Sequence, residues 1–284
     1  MKTRIITGVV AVPLLVAALS LTPTLVTTLI VAVISGVSAW EISGAVGMPK
    51  NNTIRGVLTA VVVWCAFIYP DDPANRRDVW SLFLIFALLT FISAAGMLRF
   101  EKRGGAGMTN GKLQNNIWAL ATLVLPALLA SLTWLRMLKY GRLLVLLPFV
   151  SVFLTDAGAY FTGIFFGRHK AFPKISPNKT VEGCIGGVFI GTAAVLAYGA
   201  VISAASVEIE ASILPLTLIG VAGALAAEFG DLAFSLIKRI YGIKDYGKII
   251  PGHGGMLDRF DSLVFCAPAV FIIASWLPVF KAAL

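Results

Sequence analysis

Ile213-Leu-Pro-Leu-Thr-Leu-Ile-Gly-Val-Ala-Gly-Ala-Leu-Ala-Ala-Glu228-Phe-Gly-Asp231-Leu-Ala-Phe-Ser235-Leu-Ile237 is the stretch on which the fold turns. Apart from Glu228 and Asp231 it is uncharged. As helix, at ~1.5 Å per residue, it is long enough to cross a hydrocarbon core about 30 Å thick. A membrane β-barrel would instead alternate polar and apolar residues in segments of ~10.

The rest of the chain repeats this pattern. Hydrophobic residues make up 58% of it and charged residues only 13%, about half the usual quarter. That excludes a soluble globular protein. Apolar runs cover Ile5 to Ser20, Leu25 to Val46, Ile54 to Tyr69, Val79 to Leu98, Ile117 to Leu135, Leu143 to Gly167, Gly183 to Ser203, Ile213 to Ile237 and Ser262 to Phe280. We expect an all-α, polytopic membrane protein with about nine transmembrane helices. Residues 1–142 would hold about five of them and residues 143–284 about four, with charged loops at 168–182 and 238–261. The opening Met1-Lys2-Thr3-Arg4 and the apolar run behind it resemble a signal peptide, but further spans follow at once, so the run reads as a retained first helix.

Charge sets the expected orientation. With the N-terminus in the cytoplasm, most of the 23 Lys and Arg residues fall in cytoplasmic loops, as the positive-inside rule requires. Outside remain Arg76, Arg77, Arg136, Lys139, Arg142 and Lys281, and the Arg136–Arg142 turn runs against the trend. The net charge of +9 then needs no nucleic-acid partner. Cys65, Cys184 and Cys266 are isolated, without metal or redox spacing. The loop Arg99 to Asn116 is rich in glycine but lacks a preceding strand and the Walker pattern, so it reads as a flexible connector. Gly183, Gly187 and Gly191 form a stripe of small residues that suits close helix packing, and Gly163 and Gly167 repeat the spacing.

An ionisable group inside a span costs about 2.5–3.5 kcal/mol on insertion scales and marks a functional candidate. Glu41, beside Trp40 at the end of its run, reads as an interfacial anchor. Asp156 lies mid-run and needs a partner from another segment. Glu228, Asp231, Ser235 and Lys238 share one helical stripe, and Asp258 and Asp261 share another. Two carboxylate-bearing helices flanking a Gly-rich basic loop suit Mg²⁺, which takes oxygen ligands and substrate phosphates. A purely structural reading pairs Asp231, Lys238, Arg239, Asp258, Arg259 and Asp261 as salt bridges. It leaves Pro251-Gly252-His253-Gly254-Gly255 unexplained, where an imidazole sits among glycines that let backbone approach a ligand. In Ser176-Pro177-Asn178-Lys179-Thr180, Pro177 and Asn178 suit a turn, Ser176 or Thr180 could cap the next helix, and Lys179 would face an anion at its N-terminus.

Taken together, these motifs resemble the CDP-diacylglycerol synthases (phosphatidate cytidylyltransferases). That family's pattern is Ser-x-hydrophobic-Lys-Arg-x4-Lys-Asp followed by His-Gly-Gly-x2-Asp-Arg-x-Asp. Ser235, Lys238, Arg239, Lys244, Asp245, His253, Gly254, Gly255, Asp258, Arg259 and Asp261 meet it without departure. The likeness is strong over Asp156–Asp261; the first ~150 residues share only hydropathy. The resemblance implies CTP plus phosphatidate giving CDP-diacylglycerol and pyrophosphate in phospholipid biosynthesis. It implies Mg²⁺, with a second, monovalent cation such as K⁺ as a further candidate. Asp231, Asp258, Lys238, His253 and Asp156 would be catalytic, and Asp231, Asp258 and Asp261 would hold the metal. Ser176, Asn178, Lys179, Thr180, Arg239, Lys244 and Arg259 would bind substrate.

The expected setting is an inner or plasma membrane, with N-terminus and active-site loops cytoplasmic and a homodimer as the assembly to test. A CTP-dependent lipid-alcohol kinase and an ion-coupled transporter are the alternatives. No repeat between the halves supports the transporter.

Overall fold

The computed structural model describes residues 14–68, 111–250 and 254–283, with isolated positions between 84 and 99. Pro251, Gly252 and His253 lie outside the described residues, as do the opening of the first expected span and most of the fourth.

After the helical residues 14–20, the turn at Leu21–Pro23 leads into α1 (Thr24–Ala45). Gly47 (φ +75°) turns the chain into α2 (Lys50–Ile68). Proline at a helix entry leaves no ladder bond unmade, so the polar Lys50–Arg55 segment is the first turns of a helix that begins ahead of the apolar run at Ile54. Thr53 N donates to Pro49 O at 3.0 Å.

Helix α3 (Gly111–Ala119) continues through a π-helical turn (Leu120–Val124) into α4 (Leu125–Met137). The widened turn precedes Pro126, which has no amide hydrogen for the ladder. Helix therefore begins inside the expected Arg99–Asn116 connector. A long-range contact holds it there: Gln114 Nε2 donates to Val46 O, at the end of α1, at 2.7 Å.

A short α5 (Gly141–Leu144) precedes α6 (Leu147–Phe166). The basic loop that follows is a small antiparallel hairpin of β1 (Lys170–Phe172) and β2 (Ser176–Thr180), with Lys170 opposite Thr180 and Phe172 opposite Ser176. The expected turn at Pro177–Asn178 is thus extended strand, because the pairing places the reversal between residues 172 and 176. Helices α7 (Val181–Ala205), α8 (Ile213–Ile240) and α9 (Leu257–Trp276) follow. A second hairpin joins β3 (Ile209–Ala211) to β4 (Phe280–Ala282). The last helix accordingly begins earlier than Ser262 and stops before Phe280.

Five helical stretches among the described residues are long and apolar enough to cross a membrane: Thr24–Ala45, Leu113–Met137, Gly141–Phe166, Val181–Ala205 and Ile213–Ile240. The protein is an all-α integral membrane protein. Its core lies where α4 meets α9 and α1. Leu128, Leu129, Leu132 and Leu135 are fully buried there, and Trp134 packs against Phe271 with ring centroids 5.1 Å apart and the planes tilted by 55°. On the periphery, Phe165 of α6 and Phe189 of α7 are each 74% exposed, as lipid-facing side chains should be.

The glycine stripe does what its spacing predicts. Gly183, Gly187 and Gly191 are buried against α6. A Cβ at Gly187 would lie 2.9 Å from Thr155 O and 2.8 Å from Glu228 Oε1. Arg136 is no loop cation. It is 9% exposed, donating from Nε to Leu19 O (3.1 Å) and from Nη2 to Thr22 O (2.8 Å). It thereby satisfies carbonyls at the end of the 14–20 helix, which accounts for one of the residues that ran against the charge trend.

Candidate active site

The chemistry is built on α8. Its 3.6-residue period carries Asp231, Ser235 and Lys238 along one side, and Ser235 Oγ lies 3.4 Å from Asp231 Oδ1. Helix α9 runs back beside it and presents Asp258 and Asp261. Lys238 Nζ sits between them, 3.0 Å from Asp258 Oδ1 and 3.8 Å from Asp261 Oδ2. Asp261 Oδ1 also accepts from Ser262 N at 2.8 Å.

Two distant segments complete the site. From β2, Lys179 Nζ reaches Asp231 Oδ2 at 2.7 Å. Burial alone would lower the Lys179 ammonium, but Asp231 in contact and Glu228 nearby outweigh it and hold its pKa above the ordinary 10.5. From α6, Asp156 joins Asp231, Lys238, Asp245, Asp258, Arg259, Asp261 and Ser262 around a polar cavity of about 270 Å³. Asp156 therefore solves its solvation problem differently from the single partner expected. It opens onto the cavity, within electrostatic range of Asp231, Lys179, Glu228 and Arg259. A separate cavity of about 220 Å³ is lined by residues such as Ile42, Leu128, Phe234 and Ile237, with no ionisable side chain among the described residues.

Asp258 is the most constrained carboxylate. Its Oδ2 accepts from Tyr246 N (2.8 Å) and Gly255 N (3.0 Å), while Oδ1 takes Lys238. The Tyr246 ring lies under Lys238 Nζ, 5.3 Å from its centroid, and its hydroxyl donates to Phe234 O at 2.8 Å. Burial, then Asp261 and Asp258, push the Tyr246 phenol well above its usual range, so it stays neutral.

The other predicted residues divide. Thr180 is the N-cap of α7, its Oγ1 accepting from Gly183 N at 3.1 Å. Arg239 Nε donates to Ile175 O at 3.0 Å, tying α8 to the hairpin. Arg259 lines the cavity. Ser176, Asn178 and Lys244 stand outside its wall, Asn178 and Lys244 exposed. The salt-bridge reading holds for Lys238 with Asp258 and Asp261, whereas Asp231 pairs with Lys179. His253 lies outside the described residues.

Sequence reasoning missed Asp245, Ser262, Tyr246 and Glu41. Asp245 stood within the recognised motif. Tyr246 acts through its backbone amide, which no side-chain pattern reveals. Glu41 carried a signal, an acid within an apolar run, but its neighbour Trp40 suggested an anchor. Instead Glu41 is 4% exposed and its carboxylate meets the start of α9.

The donor set suits a hard divalent cation: five carboxylates line one cavity together with Lys238 and Arg259. Among the described residues no three Asp, Glu, His or Cys side chains converge on one point as they stand. Lys238 lies between Asp258 and Asp261 instead, and Lys179 pairs with Asp231.

Residues 2–277 match the cytidylyltransferase family. The phosphatidate cytidylyltransferase of Bacillus subtilis is 31% identical over 282 residues, covering 96% of this chain and 97% of the relative. The protein of that name from Staphylococcus epidermidis is 41% identical over 133 residues, 47% of this chain and 49% of its own length. A Staphylococcus aureus counterpart is 43% identical over 129 residues, 45% and 48% respectively.

Proposed function

The chain belongs to the cytidylyltransferase family, and from that premise we propose that it is an integral membrane phosphatidate cytidylyltransferase, joining CTP and phosphatidate to give CDP-diacylglycerol and pyrophosphate. The observation that carries this reading is the Lys179–Asp231 contact at 2.7 Å. It brings a basic hairpin onto Asp231, at a cavity lined by carboxylates where a nucleotide and a lipid headgroup could meet.

In the reaction, an oxygen of the phosphatidate phosphate attacks the α-phosphorus of CTP. The bond from that phosphorus to the β-phosphate oxygen breaks, and pyrophosphate leaves with the electron pair. The nucleophile is already an anion, so no strong general base is needed. The protein's task is positioning and charge stabilisation. Lys179, Lys238 and Arg259 would neutralise phosphate oxygens, the two lysines drawn from their carboxylate partners when substrate enters. Asp231, Asp258 and Asp261 would hold Mg²⁺, with Asp156 in support. The ion would supply Lewis-acid stabilisation of the phosphate charge. A monovalent cation such as K⁺ would find oxygen donors in the same cavity. His253 would sit near the transferring group as a catalytic residue, and Ser176, Asn178, Thr180, Arg239 and Lys244 complete the proposed substrate contacts.

We further propose that the active-site loops and N-terminus face the cytoplasm, where CTP is found, and that the chain forms a homodimer. A monomeric particle mass in detergent would refute the dimer. The activity is tested with purified protein, α-labelled CTP, phosphatidate and Mg²⁺. Label should appear in the lipid with release of pyrophosphate. Label remaining on soluble CDP would indicate kinase chemistry and overturn the assignment.

A further inference from the structure

Helix α9 carries two of the cavity carboxylates, and its first turn needs partners for its amide hydrogens. Its own sequence supplies none from the cap position: Met256 makes no side-chain capping bond. The partner comes from the N-terminal part of the chain. Glu41 of α1 receives Met256 N on Oε1 at 2.9 Å and Leu257 N on Oε2 at 2.8 Å. Each oxygen serves one donor, so the carboxylate fixes both the position and the rotation of the turn.

The surrounding backbone is shaped for this carboxylate. A Cβ at Gly255 would lie 2.6 Å from Glu41 Oε1, and one at Gly247 would collide with the same oxygen. Glycine at both positions lets two loop segments close around a side chain from another helix. The same loop donates Tyr246 N and Gly255 N to Asp258 Oδ2. Glu41 therefore grips the loop and turn whose amides orient Asp258, one residue beyond Leu257. An interfacial anchor would not be 4% exposed, and a residue serving only helix packing would not need both carboxyl oxygens bonded to backbone amides.

We propose that Glu41 is a positioning residue of the active site: its carboxylate sets the first turn of α9 and through it the Asp258 carboxylate. This rests on the cytidylyltransferase reading for its catalytic consequence, but not for its structural one. It makes residue 41 part of the enzyme's machinery although nothing in its local sequence belongs to the recognised motif.

The test uses full-length protein in detergent, with Glu41→Gln and Glu41→Ala, and Arg136→Ala as a variant that removes a buried structural contact elsewhere. Three quantities are read: hydrogen exchange across residues 254–260 without substrate, kcat against KM for CTP, and half-saturation by Mg²⁺. A displacement of about 1 Å at a catalytic group costs on the order of 10²-fold. We expect Glu41→Ala to lower kcat by about that factor, to change the KM for CTP by less than about threefold, and to raise the Mg²⁺ half-saturation about fivefold or more. Exchange at 254–260 should rise at least about tenfold. Glu41→Gln keeps one accepting oxygen and should fall between, so it decides the matter if the alanine variant does not fold.

Arg136→Ala should lower thermal stability without moving the Mg²⁺ dependence. The proposal is overturned by unchanged exchange at 254–260 in a folded Glu41 variant. It is equally overturned if activity falls only in proportion to folded protein with Mg²⁺ half-saturation unmoved. A wild-type protein that transfers no cytidylyl group would sink the enzymatic reading, while the exchange experiment would still judge Glu41.

Discussion

Replacing Lys179 with alanine tests the site most directly, because this residue joins two segments far apart in sequence. Its Nζ lies 2.7 Å from Asp231 Oδ2, with side-chain exposures of 19% and 28%. At an effective dielectric constant of about 20, the gross Coulomb attraction at that distance is about 6 kcal/mol. Desolvation of both groups offsets most of it. Breaking a fully buried pair costs about 3–5 kcal/mol. With about a quarter of Asp231 exposed, screening lowers the expected stability loss to ~1–3 kcal/mol.

The catalytic effect should be larger. Removing one donor aimed at developing charge costs about 10²–10³ in rate, or ~2.7–4 kcal/mol. Lys179→Ala should thus lower kcat/KM for CTP by about two to three orders of magnitude. It should also lower the melting temperature in detergent by a few degrees. Solution pH does not confuse the assay. A lysine with a raised folded pKa contributes its full stabilisation below its ordinary 10.5, and loses it only as pH rises through the folded value. At pH 7–8 Lys179 is therefore charged. In the double variant with Asp231→Asn, the stability losses should be less than additive, since each change removes the same contact. A Lys179→Ala protein with kcat/KM within about threefold of wild type and an unshifted melting curve would refute both the contact and its role.

Gly187→Ala should force α6 and α7 apart, because the new methyl meets Thr155 O at 2.9 Å. A stability loss of about 1–3 kcal/mol is expected, and an unchanged melting temperature would show that the helices pack differently. Arg136→Ala strips partners from Leu19 O and Thr22 O and should cost ~2–4 kcal/mol; thermal unfolding in detergent reads it, and Arg136→Lys should rescue only part because one ammonium cannot reproduce the planar fork. Chelation should abolish cytidylyl transfer and Mg²⁺ restore it, whereas full activity in excess chelator would remove the carboxylates from any metal role.

Much of this protein is legible from residue order alone, where the physics is local or periodic. Long apolar runs announce membrane helices, because backbone polar groups in lipid must be satisfied within the segment. The spacing of Asp231, Ser235 and Lys238 places them on one side of α8, and Gly183, Gly187 and Gly191 mark the side of α7 that meets α6. The density of acids and bases near the C-terminus points to the site, and its motif to the family.

What residue order could not decide was which groups meet across the chain. Lys179 pairs with Asp231 because a hairpin folds over the end of α8. Asp156 is accommodated by a shared polar cavity and not by one partner. Arg136 turns inward to cap a helix that precedes it by more than a hundred residues. Glu41 leaves its expected place beside Trp40 and grips the start of α9. Each of these is a hydrogen bond or ion pair between segments distant in sequence. Its energy depends on burial and on distances of about 3 Å, which only the packed helices establish.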